Sequence, residues 1–294
     1  MRIVTTIAEL RSVVRAARAR GDVVGLVPTM GALHAGHLAL ADAVRPRARC
    51  VVMSIFVNPL QFGPTEDLAS YPRTLEADAA HAATHDVDIV FAPSAAEMYP
   101  QPPVVAVTPV AGRAGGVPLD ARWEGAIRPG HFAGVLTVVA KLFHIVQPDL
   151  AAFGRKDLQQ LTLVRAMVRD LSMPVDIVAV ATVRAPDGLA LSSRNAYLSA
   201  PERALALAVP RALEAMVRVW TDRGAIGAGA LSEVGHAVLA HESGVTVDYL
   251  AITDPDQLEP VTEVVPGTVA MVAARVGRTR LIDNMTFTAR DQAP

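Results

Sequence analysis

Short apolar segments alternate with longer helical segments over the first 180 residues, and this alternation constrains the fold more than any other feature. Buried strands are indicated at 23–27, 50–57, 88–91, 150–153 and 175–180. Strands separated by helices of about 10–15 residues are typical of βαβ units. The sequence therefore predicts an α/β fold, with a parallel sheet covered by helices on both faces.

The intervening helices carry their own sequence signals. Thr6 and Glu9 have the spacing of a capping box, which satisfies backbone N–H groups at a helix start. An apolar stripe at helical spacing predicts a helix over 132–146, and Pro148 ends it. Further helices are predicted near Ala35 and over 74–85 and 158–171.

The pattern changes after about residue 182. Helices are predicted over 200–220 and 230–241, followed by strands at 245–252, 268–276 and 281–285. Two helices followed by three strands indicate a small α+β domain. We therefore expect two domains, covering residues 1–182 and 183–294.

Composition excludes several classes of protein. The net charge of −2 argues against a general nucleic-acid-binding surface. A single cysteine, Cys50, rules out an internal disulfide and a four-cysteine zinc site. No segment approaches the roughly 20 apolar residues that span a membrane, and the N-terminus does not resemble a signal peptide. We expect a cytoplasmic protein.

The segment from Pro28 to His37 is the first candidate site, because it lies between a predicted strand and a predicted helix. His34 and His37, three residues apart at a helix start, lie on nearly the same face, where free N–H groups attract phosphate. Alternatives are two ordinary core or surface histidines, or a zinc site that lacks a third ligand nearby. The strand–glycine–helix context favours nucleotide binding.

Lysine is scarce in this chain, and one of its two lysines also lies between a predicted strand and a predicted helix. Only Lys141 and Lys156 occur among 27 basic residues, the others being arginine. Lys156 lies between a predicted strand and helix, where a cation is unfavourable unless an anion is present. Lys141 lies within the apolar helix, and we expect it to reach solvent or pair locally.

Two weaker groups of polar residues complete the candidates. Ser192, Ser193 and Arg194 suit the phosphates of a nucleoside triphosphate, but taken alone this motif is better explained as a polar loop with a helix cap. Asn58, Gln61 and Tyr71 follow a predicted strand, where neutral polar side chains can orient a small hydroxy-acid. The carboxylates Asp78, Asp86 and Asp88 could assist a magnesium ion, but their spacing does not require it.

Taken together, six ordered motifs resemble the pantothenate synthetase family. They are Pro28-Thr29-Met30-Gly31 with His34 and His37, Asn58-Pro59 with Gln61-Phe62, Tyr71-Pro72-Arg73-Thr74, Arg128-Pro129-Gly130-His131-Phe132, Gly154 with Lys156-Asp157 and Gln159-Gln160, and Ser192-Ser193-Arg194-Asn195. The resemblance is strongest over residues 25–198 and continues to about residue 285.

The resemblance implies a Rossmann-like, doubly wound nucleotide- and pantoate-binding domain, with a smaller C-terminal α+β lid domain. It implies condensation of pantoate with β-alanine, using ATP and Mg²⁺ and passing through a pantoyl-adenylate, with release of AMP and pyrophosphate. It also implies a homodimer, with no nucleic-acid or membrane partner.

The resemblance also implies roles for individual residues. Catalysis would involve His37, the usual candidate proton donor, with His34, Lys156 and Arg194. Gln61, Gln160, Asn58 and Tyr71 would bind pantoate or β-alanine. The ATP contacts would be Pro28, Thr29, Met30, Gly31, Ala32, Leu33, His34, Ala35, Gly36, His37, Gly154, Arg155, Lys156, Asp157, Val183, Leu191, Ser192, Ser193 and Arg194.

The sequence departs from the family pattern at Ala35, Arg155 and Leu191, none of which is expected to supply an essential donor or charge. An adenylyltransferase of the same fold that forms no amide is the nearest alternative function. An aminoacyl-tRNA synthetase and a nucleotide-binding regulatory module without turnover are less favoured, the first because no basic tRNA-binding domain is evident.

Overall fold

The computed structural model describes residues 1–64, 66–110, 117–224 and 226–288. The chain forms two compact units. The first comprises Met1–Arg155 and Gln159–Ala181, and the second comprises Lys156–Leu158 and Thr182–Pro294. The division into a nucleotide- and pantoate-binding domain of residues 1–182 and a lid domain of residues 183–294 stays a prediction.

The described part of the first unit contains a six-stranded parallel sheet. Its strand order is β1-β4-β3-β2-β5-β6. The strands are β1 (Arg2–Val4), β2 (Val24–Thr29), β3 (Cys50–Ile55), β4 (Ile89–Phe91), β5 (Leu150–Gly154) and β6 (Asp176–Val180).

Helices cover both faces of this sheet, as the sequence predicts. Val24 and Leu26 pack in one core cluster with α1 (Ile7–Ala19), α6 (His131–Val146) and α7 (Leu158–Asp170). Val27, pointing to the opposite face, packs in a second cluster with α2 (Ala35–Val44) and α3 (Leu75–Ala83). The short helices α4 (Ala95–Met98) and α5 (Trp123–Ile127) complete this unit.

The strand order reverses between β2 and β5, which pair through Gly25 with Leu150 and Leu26 with Ala151. From β2 the chain proceeds outward through β3 and β4, whereas β5 and β6 lie on the other side. Ligands of open α/β sheets bind at the carboxyl ends of the strands at such a reversal. The turns after β2, β3 and β5 therefore follow the carboxyl ends of three neighbouring strands.

The second unit contains α8 (Ala200–Ala206), α9 (Ala208–Arg223) and α10 (Ala228–Ala240). They precede an antiparallel sheet in the order β7-β8-β9, formed by Val245–Thr253, Val269–Val276 and Thr279–Thr286. Trp220 packs edge-on against Phe287 in its core, with ring centroids 5.5 Å apart. The prediction of a doubly wound α/β sheet with a smaller α+β part is confirmed. No described helix is long and apolar enough to cross a membrane.

Two local predictions differ from the structure. The single helix predicted over 200–220 is divided into α8 and α9 at Leu207. Pro210 explains the break, because its ring clashes with the carbonyl group four residues earlier and it lacks an N–H. The sequence analysis also missed β1, whose three residues are too few to show an alternating pattern.

Candidate functional site

The turn after β2 is held by a buried carboxylate. Asp78 of α3 is 2% exposed, and its oxygens accept from the backbone N–H groups of Ala32 at 3.0 Å and Leu33 at 2.8 Å. Gly31 has a φ of +83°, and a Cβ there would lie 3.0 Å from an Asp78 oxygen. The turn therefore requires glycine, and Asp78 anchors it. This contact gives Asp78 a structural role in place of the magnesium role considered above.

Replacing Asp78 with asparagine is expected to lower the free energy of unfolding by about 1–3 kcal/mol, because an NH₂ group would replace one oxygen that faces a backbone donor. Urea unfolding followed by circular dichroism measures the change. Glu76→Gln, an exposed substitution in the same helical turn, is expected to change stability by less than about 0.5 kcal/mol. Equal unfolding midpoints for the two variants would contradict the anchoring role.

His34 and His37 form a reciprocal cap at the start of α2. The Nδ1 atom of His34 accepts from the backbone N–H of Gly36 at 3.1 Å. The Nδ1 atom of His37 accepts from the backbone N–H of His34 at 3.4 Å. The two rings lie 4.1 Å apart and are inclined by 31°. Because a neutral imidazole that accepts at Nδ1 carries its hydrogen at Nε2, both side chains present an Nε2–H donor.

This arrangement favours anion binding over the other interpretations of the two histidines. Both side chains are half-buried, so neither is a core residue. The described residues contain no group of three or more His, Cys, Asp and Glu side chains that could hold a metal ion. Imidazole donors beside the first turn of a helix instead combine with its dipole to attract a phosphate group.

Asn58 and Gln61 lie together beyond β3, at the 3-10 turn Pro59–Gln61. Asn58 is 1% exposed and donates to the Gln61 carboxamide oxygen and to the carbonyl of Gly134, both at 3.1 Å. The Gln61 nitrogen lies 3.0 Å from the sulfur of Met30 in the turn after β2. The structure thus brings three predicted site residues into contact and places Asn58 behind Gln61.

Tyr99 supports Asn58 from the opposite side. Its hydroxyl donates to the side-chain oxygen of Asn58 at 2.9 Å. Burial raises the pKa of Tyr99 to about 12, so this donor stays protonated. The ammonium of Lys141 lies 5.3 Å from the centre of the Tyr99 ring, a cation–π contact. Lys141 therefore has a local partner. Tyr71, another predicted site residue, is 4% exposed and packs edge-on against Phe62.

Two neighbouring glutamines at the start of α7 differ in their surroundings. Gln159 is 4% exposed and donates to the carbonyls of Leu119 at 2.6 Å and Arg122 at 3.0 Å. Its oxygen accepts from the N–H of Glu124 at 3.0 Å. Gln160 is only half-buried. Gln159 is thus a structural residue, whereas Gln160 remains the candidate for substrate binding.

Lys156 belongs to the second compact unit, although it follows β5 by only two residues. Its backbone carbonyl accepts from the side-chain nitrogen of Asn284 in β9 at 2.9 Å. Its ammonium lies 3.7 Å from Asp157, and its side chain is 17% exposed. The sequence analysis missed Asn284, which fixes the backbone at the predicted phosphate-binding lysine.

A short hairpin orders the last motif, because Leu191 donates its N–H to the carbonyl of Val183 at 2.9 Å. Arg184 in this hairpin forms a bidentate ion pair with Asp283, whose side chain is 1% exposed, at 2.6 and 3.0 Å. Ser192 caps the following turn by accepting from the Arg194 N–H at 3.3 Å. The capping interpretation of Ser192 is therefore correct, and it leaves a nucleotide role open.

The two compact units divide the remaining predicted residues between them. Pro28, Thr29, Ala35, Gly154 and Arg155 belong to the first unit, and Asp157 and Ser193 belong to the second. The sequence analysis missed the role of Asp283 as well as that of Asn284. Two consecutive polar residues within an otherwise apolar predicted strand were the available signal for both.

Comparison with known proteins gives consistent matches over the full chain. The family model described as pantoate–β-alanine ligase matches residues 2–286. A pantothenate synthetase from Koribacter versatilis is 50% identical over 293 residues, covering 100% of this chain and 98% of that protein. One from Nocardioides sp. is 53% identical over 295 residues, covering 97% of this chain and 85% of that protein.

Solved structures give the same result. Pantothenate synthetase from Thermus thermophilus has a TM-score of 0.91 at 49% identity, covering 98% of this chain and 100% of that chain. Pantoate–β-alanine ligase from Francisella tularensis, complexed with beta-gamma ATP and β-alanine, has a TM-score of 0.78 at 31% identity and covers 98% of both chains. The chain belongs to the pantoate–β-alanine ligase family.

Proposed function

We propose that this chain condenses pantoate with β-alanine to form pantothenate, consuming ATP and releasing AMP and pyrophosphate. The observation that carries the proposal is the paired His34 and His37 cap at the carboxyl edge of β2, in a chain of this family. The Francisella tularensis relative, complexed with beta-gamma ATP and β-alanine, supports two of the three substrates.

In the first step a pantoate carboxylate oxygen attacks the α-phosphorus of ATP. The bond from that phosphorus to the bridging oxygen breaks, and pyrophosphate leaves with its electron pair. Negative charge increases on the phosphoryl oxygens, where the Nε2–H groups of His34 and His37 and the first turn of α2 stabilise it. Lys156 and Arg194 supply positive charge to the leaving phosphates.

In the second step the neutral amine of β-alanine attacks the acyl carbon of pantoyl-adenylate. The carbon–oxygen bond to AMP breaks, AMP leaves with the electron pair, and the amine proton passes to solvent. No protein nucleophile is required. The lone thiol is unsuited to that role, because Cys50 is 5% exposed and burial raises its pKa to about 11.

We assign the small-molecule contacts as follows. Pantoate is bound by Gln61 and Gln160, with Asn58 and Tyr71 beside them, and Gln61 also meets β-alanine. The ATP contacts lie in the turn after β2, with Gly154 to Asp157, Val183 and Leu191 to Arg194. The carboxylate of Asp157 lies near the ribose. Family resemblance supports these assignments. The Met30–Gln61 contact at 3.0 Å supports a common location for the pantoate contacts and the ATP contacts in the turn after β2.

Magnesium enters this scheme as part of the nucleotide substrate. The described residues offer no cluster of three or more metal-ligating side chains, and the Asp78 carboxylate is engaged by backbone donors. Mg²⁺ bound to ATP is held largely by phosphate oxygens and water, so a resident protein cage is unnecessary.

Assembly and location rest on the resemblance to the family. We propose that the protein works as a homodimer in the cytoplasm, where ATP is supplied. We further propose that residues 183–294 serve as a lid, because an acyl-adenylate must be kept from water. Sedimentation of the purified protein tests the dimer directly.

The reaction assay separates this function from its nearest alternative. Pyrophosphate release is expected to require pantoate and MgATP, and AMP release with pantothenate formation is expected to require β-alanine in addition. Mass spectrometry identifies the amide product, and omission of each substrate is the control. Pantoate-dependent pyrophosphate release without an amide would instead indicate an adenylyltransferase.

A further inference from the structure

A partly buried network of hydrogen bonds joins Glu66, Arg128 and His131 to the backbone of Gln61. The Glu66 carboxylate accepts from two nitrogens of Arg128, both at 2.7 Å. A third Arg128 nitrogen lies 3.0 Å from Nε2 of His131, and Nδ1 of His131 lies 2.8 Å from the Gln61 carbonyl oxygen. The Arg128 and Glu66 side chains are only 19% and 23% exposed.

The charges and protons of this hydrogen-bond network have one consistent arrangement. Burial and the nearby Arg128 lower the pKa of His131 to about 4, so its imidazole is neutral at pH 7. Since arginine can only donate, Nε2 of His131 accepts and Nδ1 carries the hydrogen that goes to Gln61. Burial opposes ionisation of Glu66, but the hydrogen bond and charge of Arg128 outweigh it and lower the pKa.

Gly134, three residues further along α6, provides an independent contact with the same turn. A Cβ at this position would lie 2.2 Å from the Leu60 carbonyl oxygen and 2.7 Å from the Gln61 Cα. The Gly134 carbonyl also accepts from Asn58, which in turn contacts the Gln61 carboxamide. The first turns of α6 therefore touch both the backbone and the side-chain support of Gln61.

We propose that Arg128 and His131 are positioning residues that fix Gln61 for binding pantoate. The inference rests on the proposed function, in which the Gln61 carboxamide holds this substrate. His131 acts by holding the Gln61 carbonyl. Arg128 acts by holding His131 in the correct tautomer and by donating to the same carbonyl oxygen at 3.5 Å, while Glu66 fixes Arg128. This network gives the Arg128-Pro129-Gly130-His131 motif a role that its spacing alone does not reveal.

The test compares His131→Leu with His131→Asn, because an asparagine side-chain nitrogen can replace the Nδ1–H donor. His131→Leu is expected to raise the KM for pantoate by about 10- to 100-fold, with the KM for ATP changed less than about twofold. His131→Asn is expected to restore most of the pantoate affinity. His144→Asn, in the same helix with Nδ1 2.7 Å from its own helix carbonyl at Ala140, is the matched control.

Glu66→Gln is the second variant, to be used where circular dichroism shows that His131→Leu does not fold. Because the Glu66–Arg128 pair is partly exposed, this substitution is expected to leave the protein folded. It is expected to raise the pantoate KM several-fold, again with little effect on ATP. A folded variant with unchanged pantoate KM, or with equally raised KM values for all substrates, would overturn the positioning role alone. Wild-type protein without pantoate-dependent pyrophosphate release would overturn the proposed function, and this inference with it.

Discussion

Replacing Lys156 with alanine is expected to slow pantoate-dependent pyrophosphate release by about 100- to 1000-fold, while leaving the fold intact. The side chain is 17% exposed and follows β5 just before α7, where a cation is unfavourable without an anion. The Asp157 carboxylate at 3.7 Å supplies one anion, and the triphosphate supplies a more highly charged one whose oxygens a compact ammonium can approach closely. Single-turnover measurement of pyrophosphate release isolates this step from amide formation.

Two variants control for charge and for folding. Lys156→Arg keeps the charge but replaces a point charge with a planar group, so it is expected to recover only part of the rate. Lys141→Ala removes the other lysine and its contact with Tyr99, and is expected to cost about 0.5–1 kcal/mol of stability with the rate changed less than severalfold. A folded Lys156→Ala protein with near-normal pyrophosphate release would refute the assigned role.

The architecture was predictable because its signals are local. The strands beginning at Val24 and Cys50 are visible in the sequence as short apolar runs, and apolar residues at helical spacing predict α6. Given parallel βαβ units, the rule that ligands bind at the carboxyl ends of strands is enough to place the turn after β2 at a site. Lys156 was identified in the same way, from a strand followed by a helix.

The residues that hold the site residues in place were not predictable, because the two members of each contact are distant in sequence. From the sequence alone Asp78 is one of three carboxylates that could assist magnesium, whereas the fold brings it to the N–H groups of residues 32 and 33. Glu66 pairs with Arg128 across 62 residues, and Asn284 reaches Lys156 across 128. A single sequence shows which residues are polar, but only tertiary contacts show which of them hold the others in place.

Substituting His34 with asparagine is expected to separate the two roles that the structure gives this residue. Asparagine is a preferred N-cap residue whose oxygen can accept from the Gly36 N–H, so stability is expected to stay within about 0.5 kcal/mol of wild type. The variant lacks the Nε2–H donor, and pantoate-dependent pyrophosphate release is expected to fall about 100-fold. Thermal unfolding and single-turnover kinetics measure the two effects.

The comparison with His34→Ala decides which role dominates. Alanine removes both cap and donor, so it is expected to lose about 1 kcal/mol of stability and as much activity as asparagine does. Thr6→Asn, the same kind of substitution at the cap of α1, is the control and is expected to leave the rate unchanged. If His34→Asn were as active as wild type, the imidazole would act only as a cap, and charge stabilisation at the α-phosphate would fall to His37 and the helix terminus. If instead His34→Asn is stable but slow, the two histidines stabilise charge during catalysis and also cap the helix that carries them.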